Sequence, residues 1–294
     1  MEMSNVVQLR QPEPQEEAQD GLSLSDLKDF FREAEDALEK ERNLAARDER
    51  FYHCLLYTSD AADQWTEAEK RELSFRGQPT YTHNAVKKQV NTLRGVEQRS
   101  RTDPKALPRR PEQQLMATVA TDVLNYLDDV TDFDQVASRS FPDLAIRGVE
   151  AVEPIWNEAE RAIEVNFIKG ADFFRDPKSS DPQFLDANYL GYAKWMDLDR
   201  AKKIYPDYAD RMQETVNDRT SGFEDRPSVL WVSTQNRRKR IRIIVMYYKD
   251  ERGVWRLAHF CGSCKLFDQE SPYVEQLDGG RTRPRCNIIA AALY

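Results

Sequence analysis

Cys261-Gly262-Ser263-Cys264 is the close pairing of chemically reactive side chains in this sequence, and two thiols spaced this way suit either zinc or dithiol–disulfide cycling. A structural zinc needs two further ligands, and only His259 and the distant Cys286 offer themselves. A redox pair normally opens a helix within a βαβ pattern, which this region lacks. The preferred reading is therefore a pair of reduced, buried thiols on a strand and its turn, with zinc and redox chemistry behind it. Four cysteines in 294 residues do not make a disulfide framework.

Other catalytic patterns fail at identifiable positions. His53, His83 and His259 lie far apart, and no HExxH occurs. Pro142-Asp143 could open a nuclease motif, but the downstream Glu164-Val165-Asn166 lacks the lysine that would stabilise a charged transition state. None of the eleven glycines is followed by lysine, so no loop of the GxxxxGK[ST] type cradles a phosphate. The residues read as a non-enzyme that needs no metal and no cofactor.

Two basic clusters remain. One is Arg237, Arg238, Lys239 and Arg240, continued by Arg242; the other is Lys87, Lys88, Arg94, Arg99 and Arg101. The first could contact DNA phosphates or serve as a targeting tetrad, the sharper reading of the second is a neighbouring subunit's acidic face, and DNA or subunit contact is carried for both. The plainer readings are a solvated hairpin end, with Arg240 and Arg242 outside while Ile241, Ile243 and Val245 point inward, and the exposed side of an amphipathic helix. The formal net charge of −8 argues against a protein that grips DNA with its whole surface, and suits one past which DNA slides.

The elements that position these residues fall into two regions. Residues 1–21 are polar and rich in Glu and Pro, and are expected to form a disordered arm. Ser23 and Asp26 form a capping-box pattern, and Leu24, Leu27, Phe31, Ala34, Leu38 and Leu44 recur near helical spacing, predicting one helix over about 24–50. Thr66 and Glu69 cap a short helix through Ser74, and Gly77-Gln78-Pro79 breaks the chain. Asn84 caps a helix whose expected buried stripe is Val86, Val90, Leu93 and Val96, with Lys87, Lys88, Arg94 and Arg99 outside. A Pro-rich extended linker follows. Beyond it Leu115, Met116, Val119, Val123, Leu124 and Leu127 share a helical face, and a shorter helix over about 133–146 ends at Gly148.

After Gly148 the period turns alternating. Val149 to Trp156 and Ile163 to Phe167 read as a hairpin, and Val229 to Ser233, Ile241 to Tyr248, Trp255 to Phe260 and Lys265 to Phe267 as further strands. Short helices are expected within 197–217, stopped once at Pro206. The fold class is α+β: a helical region over 22–147, then a mainly antiparallel β region over 148–294 with a small helical insertion. The tryptophans Trp65, Trp156, Trp195, Trp231 and Trp255 are expected mostly in the core. The longest apolar runs, Ile243 to Tyr248 and Ile288 to Tyr294, are too short to cross a bilayer, so no membrane association is expected.

Three blocks, taken in order, carry a resemblance. FRGQPTYTHNAVKKQVNTLRGVEQRSRTDPKALP at 75–108, GADFFRDPKSSDPQFLDANYLGYAKWMDLDRAKKIYPDY at 170–208 and the stretch Trp255 to Tyr273 resemble the portal proteins of short-tailed, double-stranded DNA bacteriophages. The similarity covers about 48–53 and 64–286, and matches the N-terminal, wing-side portion of such proteins. It implies a dodecameric ring at one capsid vertex, with double-stranded DNA passing through it in packaging and ejection. The implied partners are further copies of the chain, terminase, tail and head-completion proteins, and capsid and scaffolding proteins. The implied location is the virion, and the host cytoplasm during assembly. The resemblance supplies no catalytic residue. A complete portal would continue into stem helices, a clip and a crown, so the end in the apolar run to Tyr294 is expected to be a truncation. The competing reading is a stand-alone phage DNA-binding or head-assembly module without enzymatic activity.

Residues 54–63, CLLYTSDAAD, break the pattern around them. They agree residue for residue with what a common transposon-end sequencing adapter encodes in one frame. Removing them joins Phe51-Tyr52-His53 to Gln64-Trp65, an aromatic run that resembles the portal family. An inserted surface loop with adjacent ends costs on the order of 1 kcal/mol of closure entropy. Deleting 54–63 is therefore expected to leave thermal stability unchanged or raised in a melting experiment. A loss of several kcal/mol would make the segment native core.

Overall fold

The computed structural model describes residues 21–53, 65–79, 84–158, 160–217, 232–233, 239–276 and 280–293. The expected N-terminal arm up to residue 20, the decapeptide 54–63, His83, Trp231, Arg237 and Arg238 lie outside the described residues. The chain divides into two compact units, Met1–Glu39 with Ala151–Ala291, and Lys40–Glu150 with Ala292–Tyr294. The architecture is α+β, with helices first, then antiparallel sheets carrying a small helical insertion.

Helix α1 (Leu24–Ala37) begins where its capping box predicts: the Asp26 N–H donates to Ser23 Oγ, and the Ser23 N–H donates to Asp26 Oδ2, each at 3.2 Å. Leu27, Phe31 and Ala34, spaced for one helical face, are fully buried. The single long helix expected here is instead two, because the chain turns at Leu38 before α2 (Glu39–His53). No Gly or Pro marks that break. Leu38 is itself buried in the same apolar cluster as Phe31.

Strands β1 (Val149–Asn157) and β2 (Ala162–Ile168) form the expected hairpin, with Trp156 opposite Ile163. Next come β3 (Phe173–Arg175), β4 (Tyr189–Asp197), α7 (Leu198–Ile204), a 3-10 turn at Pro206–Tyr208 and α8 (Ala209–Asn217). The rest are β5 (Val232–Ser233), β6 (Arg240–Lys249), β7 (Trp255–Phe260), β8 (Lys265–Glu270), β9 (Val274–Gln276), β10 (Thr282–Pro284) and β11 (Ile289–Ala292). The main sheet runs β3-β4-β6-β7-β8 with every pair antiparallel, and β5 pairs with the start of β6. A smaller sheet is ordered β11-β1-β2.

Because side chains alternate along a strand, β6 serves two cores at once. Ile244, Met246 and Tyr248 join Leu27, Phe31 and Phe174 on the side covered by α1. Ile241 and Ile243 join Leu198, Ala201 and Met212 beneath α7 and α8. Gly191 of β4 has to be glycine here: a Cβ would stand 2.4 Å from the Phe174 ring and 2.5 Å from the Val245 carbonyl.

Buried polar groups tie these layers together. The Glu153 carboxylate of β1 accepts the Tyr192 hydroxyl at 2.8 Å and the Tyr247 hydroxyl at 2.9 Å, and burial raises its pKa. Asp268 of β8 accepts from Arg256 Nε at 3.1 Å, Lys265 Nζ at 3.0 Å and the Tyr248 hydroxyl at 3.0 Å. The Tyr248 oxygen in turn accepts the Leu22 N–H at 3.3 Å, and Lys265 Nζ donates to the Leu22 carbonyl at 3.2 Å. The segment leading into α1 is thus fastened to strands more than two hundred residues away.

The other unit is helical. It holds most of α2, then α3 (Glu67–Phe75), α4 (Ala85–Ser100), a 3-10 turn at Pro111–Gln113, α5 (Gln114–Thr131) and α6 (Phe133–Arg147). Thr66 and Asn84 cap α3 and α4 as their side chains predict. Gly148, at φ 79°, closes α6 with its N–H on the Leu144 carbonyl. Both α4 and α5 pack on α6.

His259 of β7 lies on the α7 side of the sheet, with its Nδ1 2.8 Å from the Tyr205 hydroxyl and the Lys194 charge nearby. Burial, helped by Lys194, pushes its pKa down to about 4 from an ordinary 6.5. The imidazole folds neutral, so protonation drives unfolding. Its contribution is complete above pH 6.5 and is lost as pH falls toward 4. At 1.36 kcal/mol per pKa unit that amounts to about 3 kcal/mol. Glu153 acts in the opposite sense, so the measurement is a comparison: in urea titrations at pH 7 and pH 4, the wild-type chain should lose about 3 kcal/mol more than His259→Gln. Equal losses would mean that His259 is not buried as a neutral ring.

Candidate functional site

Helix α4 presents the first basic cluster. Its start is set by Asn84, whose Oδ1 accepts the Lys87 N–H at 2.8 Å and whose Nδ2 donates to the Phe51 carbonyl at 2.7 Å. Lys87 is half-buried, with its ammonium 5.9 Å from the Tyr52 ring centroid. Arg101 is committed within its own unit. It makes paired bonds of 2.6 and 2.8 Å to Glu97, and reaches the Asp134 carboxylate at 3.0 Å and Ser138 Oγ at 3.1 Å. The Glu97 bond holds its pKa above the ordinary value. Arg94 is half-buried, while Lys88 and Arg99 stand exposed. Of five predicted contact residues, Lys88 and Arg99 are therefore the ones fully presented to a partner.

The second cluster divides more sharply. Arg237 and Arg238 lie outside the described residues, and Lys239 and Arg240 are exposed. Arg240 Nη2 donates to the Trp195 carbonyl at 3.1 Å, and its Nε stands 3.7 Å from Asp197. Arg242 overturns the expectation of an outward side chain. It is buried, with the guanidinium 5.1 Å over the Phe31 ring, 5.9 Å from Trp195 and 4.0 Å from the fully buried Glu35 carboxylate. Residues 240 and 242 do share a face, but α1 covers that face and its Glu35 meets the second arginine. The α4 cluster and the β6 cluster belong to different units.

The helical unit holds a feature that sequence reasoning inverted. The expected buried stripe of α4 is buried only at Val90; Val86, Leu93 and Val96 are 52–60% exposed. The inner face of α4 is instead Val90 with the half-buried Lys87, Arg94 and Glu97. In α5 the inner face centres on Ala117 and Thr121, whereas Met116, Val119, Val123, Tyr126 and Val130 are 45–69% exposed. These five recur at alternating spacings of three and four, the pattern of a helix seam. The signal was present as an amphipathic stripe; what periodicity does not say is which partner covers it.

Cys261 and Cys264 are buried thiols at the β7–β8 turn, as expected, with sulfurs 3.3 Å apart. The hydrogen bond from Cys264 pushes the Cys261 pKa down to about 6, and pushes that of Cys264 up. Their surroundings are Thr215 and the apolar side chains under α8. Cys286 lies apart, its thiol raised to about 12 by burial. Among the described residues, no three His, Cys, Asp or Glu side chains converge on a metal position. Pro142-Asp143 sits within α6, where Asp143 pairs with Arg147, and Glu164 accepts from Asn157 at 2.6 Å. Of the tryptophans, Trp156 is half exposed, and Trp255 stacks under Lys249 at 4.9 Å.

A family profile described as Phage P22-like portal protein matches residues 28–283. The chain belongs to this family, and is thus a phage portal protein of P22-like type, a component of an oligomeric assembly at the capsid vertex. The family is structural rather than catalytic. A comparison with curated proteins finds no match. No helix among the described residues is long and apolar enough to cross a membrane.

Removing Arg242 strips a buried carboxylate of its counter-charge, whereas removing Arg240 changes an exposed contact. Arg242→Ala is expected to cost about 3–5 kcal/mol in urea denaturation, and Arg240→Ala no more than about 0.5 kcal/mol. Equal, small effects would return Arg242 to the surface.

Proposed function

We propose that this chain acts as one subunit of a dodecameric portal ring at a single capsid vertex, a conduit for double-stranded DNA in packaging and ejection. On this reading the ring also docks terminase, tail and head-completion proteins, and sits among capsid and scaffolding proteins during assembly in the host cytoplasm. It performs no catalysis of its own. The observation that carries the reading is the family match over residues 28–283.

Two physical features support it. The net charge of −8 suits a channel wall that must not hold its cargo, since tight backbone binding needs many uncompensated Lys and Arg. Within the two basic clusters, the exposed members among the described residues are Lys88 and Arg99 on α4 and Lys239 and Arg240 at the start of β6, with Arg237 and Arg238 beside them in sequence. Contacts of this kind position a strand or a neighbour without gripping it. Antibodies raised against the chain are expected to label particles of the encoding phage at one vertex by electron microscopy. Label spread over the whole shell, or none on particles, would overturn the reading.

A further inference from the structure

Two apolar strips on the helical unit lack a cover among the described residues, and they carry opposite charges along their edges. On α5, Met116, Val119, Val123, Tyr126 and Val130 form a strip bordered by the exposed Asp122 and Asp129, and the helix contains no Lys or Arg. On α4, Val86, Leu93 and Val96 form a second strip, and the exposed charges beyond it are Lys88 and Arg99. Monomeric proteins seldom leave contiguous strips of this size to water. The inner faces of both helices are already occupied in packing on α6, so the strips cannot be satisfied by turning the helices over.

Resting on the portal reading above, we propose that the acid-edged α5 strip of one subunit packs on the base-edged α4 strip of the next. The occupant is a second copy of this chain because the two strips are complementary in both hydrophobicity and charge. Pairing like strip with like strip would oppose Asp122 and Asp129 to their own copies, or Lys88 and Arg99 to theirs. A head-to-tail pairing opposes acid to base at every contact, and is the arrangement that generates rings when its rotation closes. The apolar strips supply the cohesion, and the charges set which face meets which.

Reciprocal charge reversal tests this on the full chain by sedimentation. Lys88→Glu with Arg99→Glu gives a subunit with two acidic edges; Asp122→Lys with Asp129→Lys gives one with two basic edges. The wild-type chain is expected to self-associate with rising concentration. Each variant alone should associate roughly tenfold or more weakly, because like charges then face one another. An equimolar mixture should recover association, with the two variants alternating. Circular dichroism of each variant establishes that it folds, and recovery in the mixture does so again. Association that resists both reversals overturns this interface and leaves the ring reading standing. Recovery in the mixture as open filaments of no closed size keeps the contact and ends the ring. A wild-type chain that stays monomeric at every concentration overturns both.

Discussion

The β unit depends on one strand being covered from both sides. In β6 every residue from Ile241 to Tyr248 is buried, so neither face of the strand tolerates water. An antiparallel sheet often keeps one face wet, and its strands then alternate in polarity; here the central strand reads instead as a nearly continuous apolar run. Covering it requires α1 from one end of the chain on one face, and α7, α8 and β1 on the other. That demand accounts for the first helix grouping with the strands rather than with the remaining helices.

The polar groups inside this double layer act as clamps between layers. Glu35 meets Arg242 across α1 and β6, Glu153 meets Tyr192 and Tyr247 across the two sheets, and Asp268 gathers Arg256, Lys265 and Tyr248 beneath the entry to α1. Each is a charge removed from water and matched by a partner, an arrangement that adds modest net stability but is costly to disrupt on one side only. None of these groups is offered to a ligand, in keeping with a structural family.

The helical unit follows a different logic. The inner faces of α4 and α5 use small, polar and charged side chains such as Ala117, Thr121, Arg94 and Glu97, while the larger apolar side chains point away. In an isolated chain this is an inefficient use of hydrophobic residues. On the proposed contact between copies it is accounted for, because the larger apolar side chains would then be covered by the neighbouring subunit.

Local chemistry was legible in the sequence. Ser23, Thr66 and Asn84 cap helices, and Gly148 and Pro206 end them; each acts through backbone groups within a few residues, so no distant partner alters the outcome. The β1–β2 hairpin and the strand nature of β6 and β7 follow from period and run length in the same way. Tertiary structure decided which side of each element is covered. Arg242 reads as an outward residue until α1 is laid over it. Val86 and Leu93 read as core until α4 is seen packing on α6 through its neighbouring face. Periodicity reports that a helix or strand has two unlike faces, but the identity of the surface that covers each face is a long-range property. It depends on burial and charge pairing with residues more than two hundred positions away.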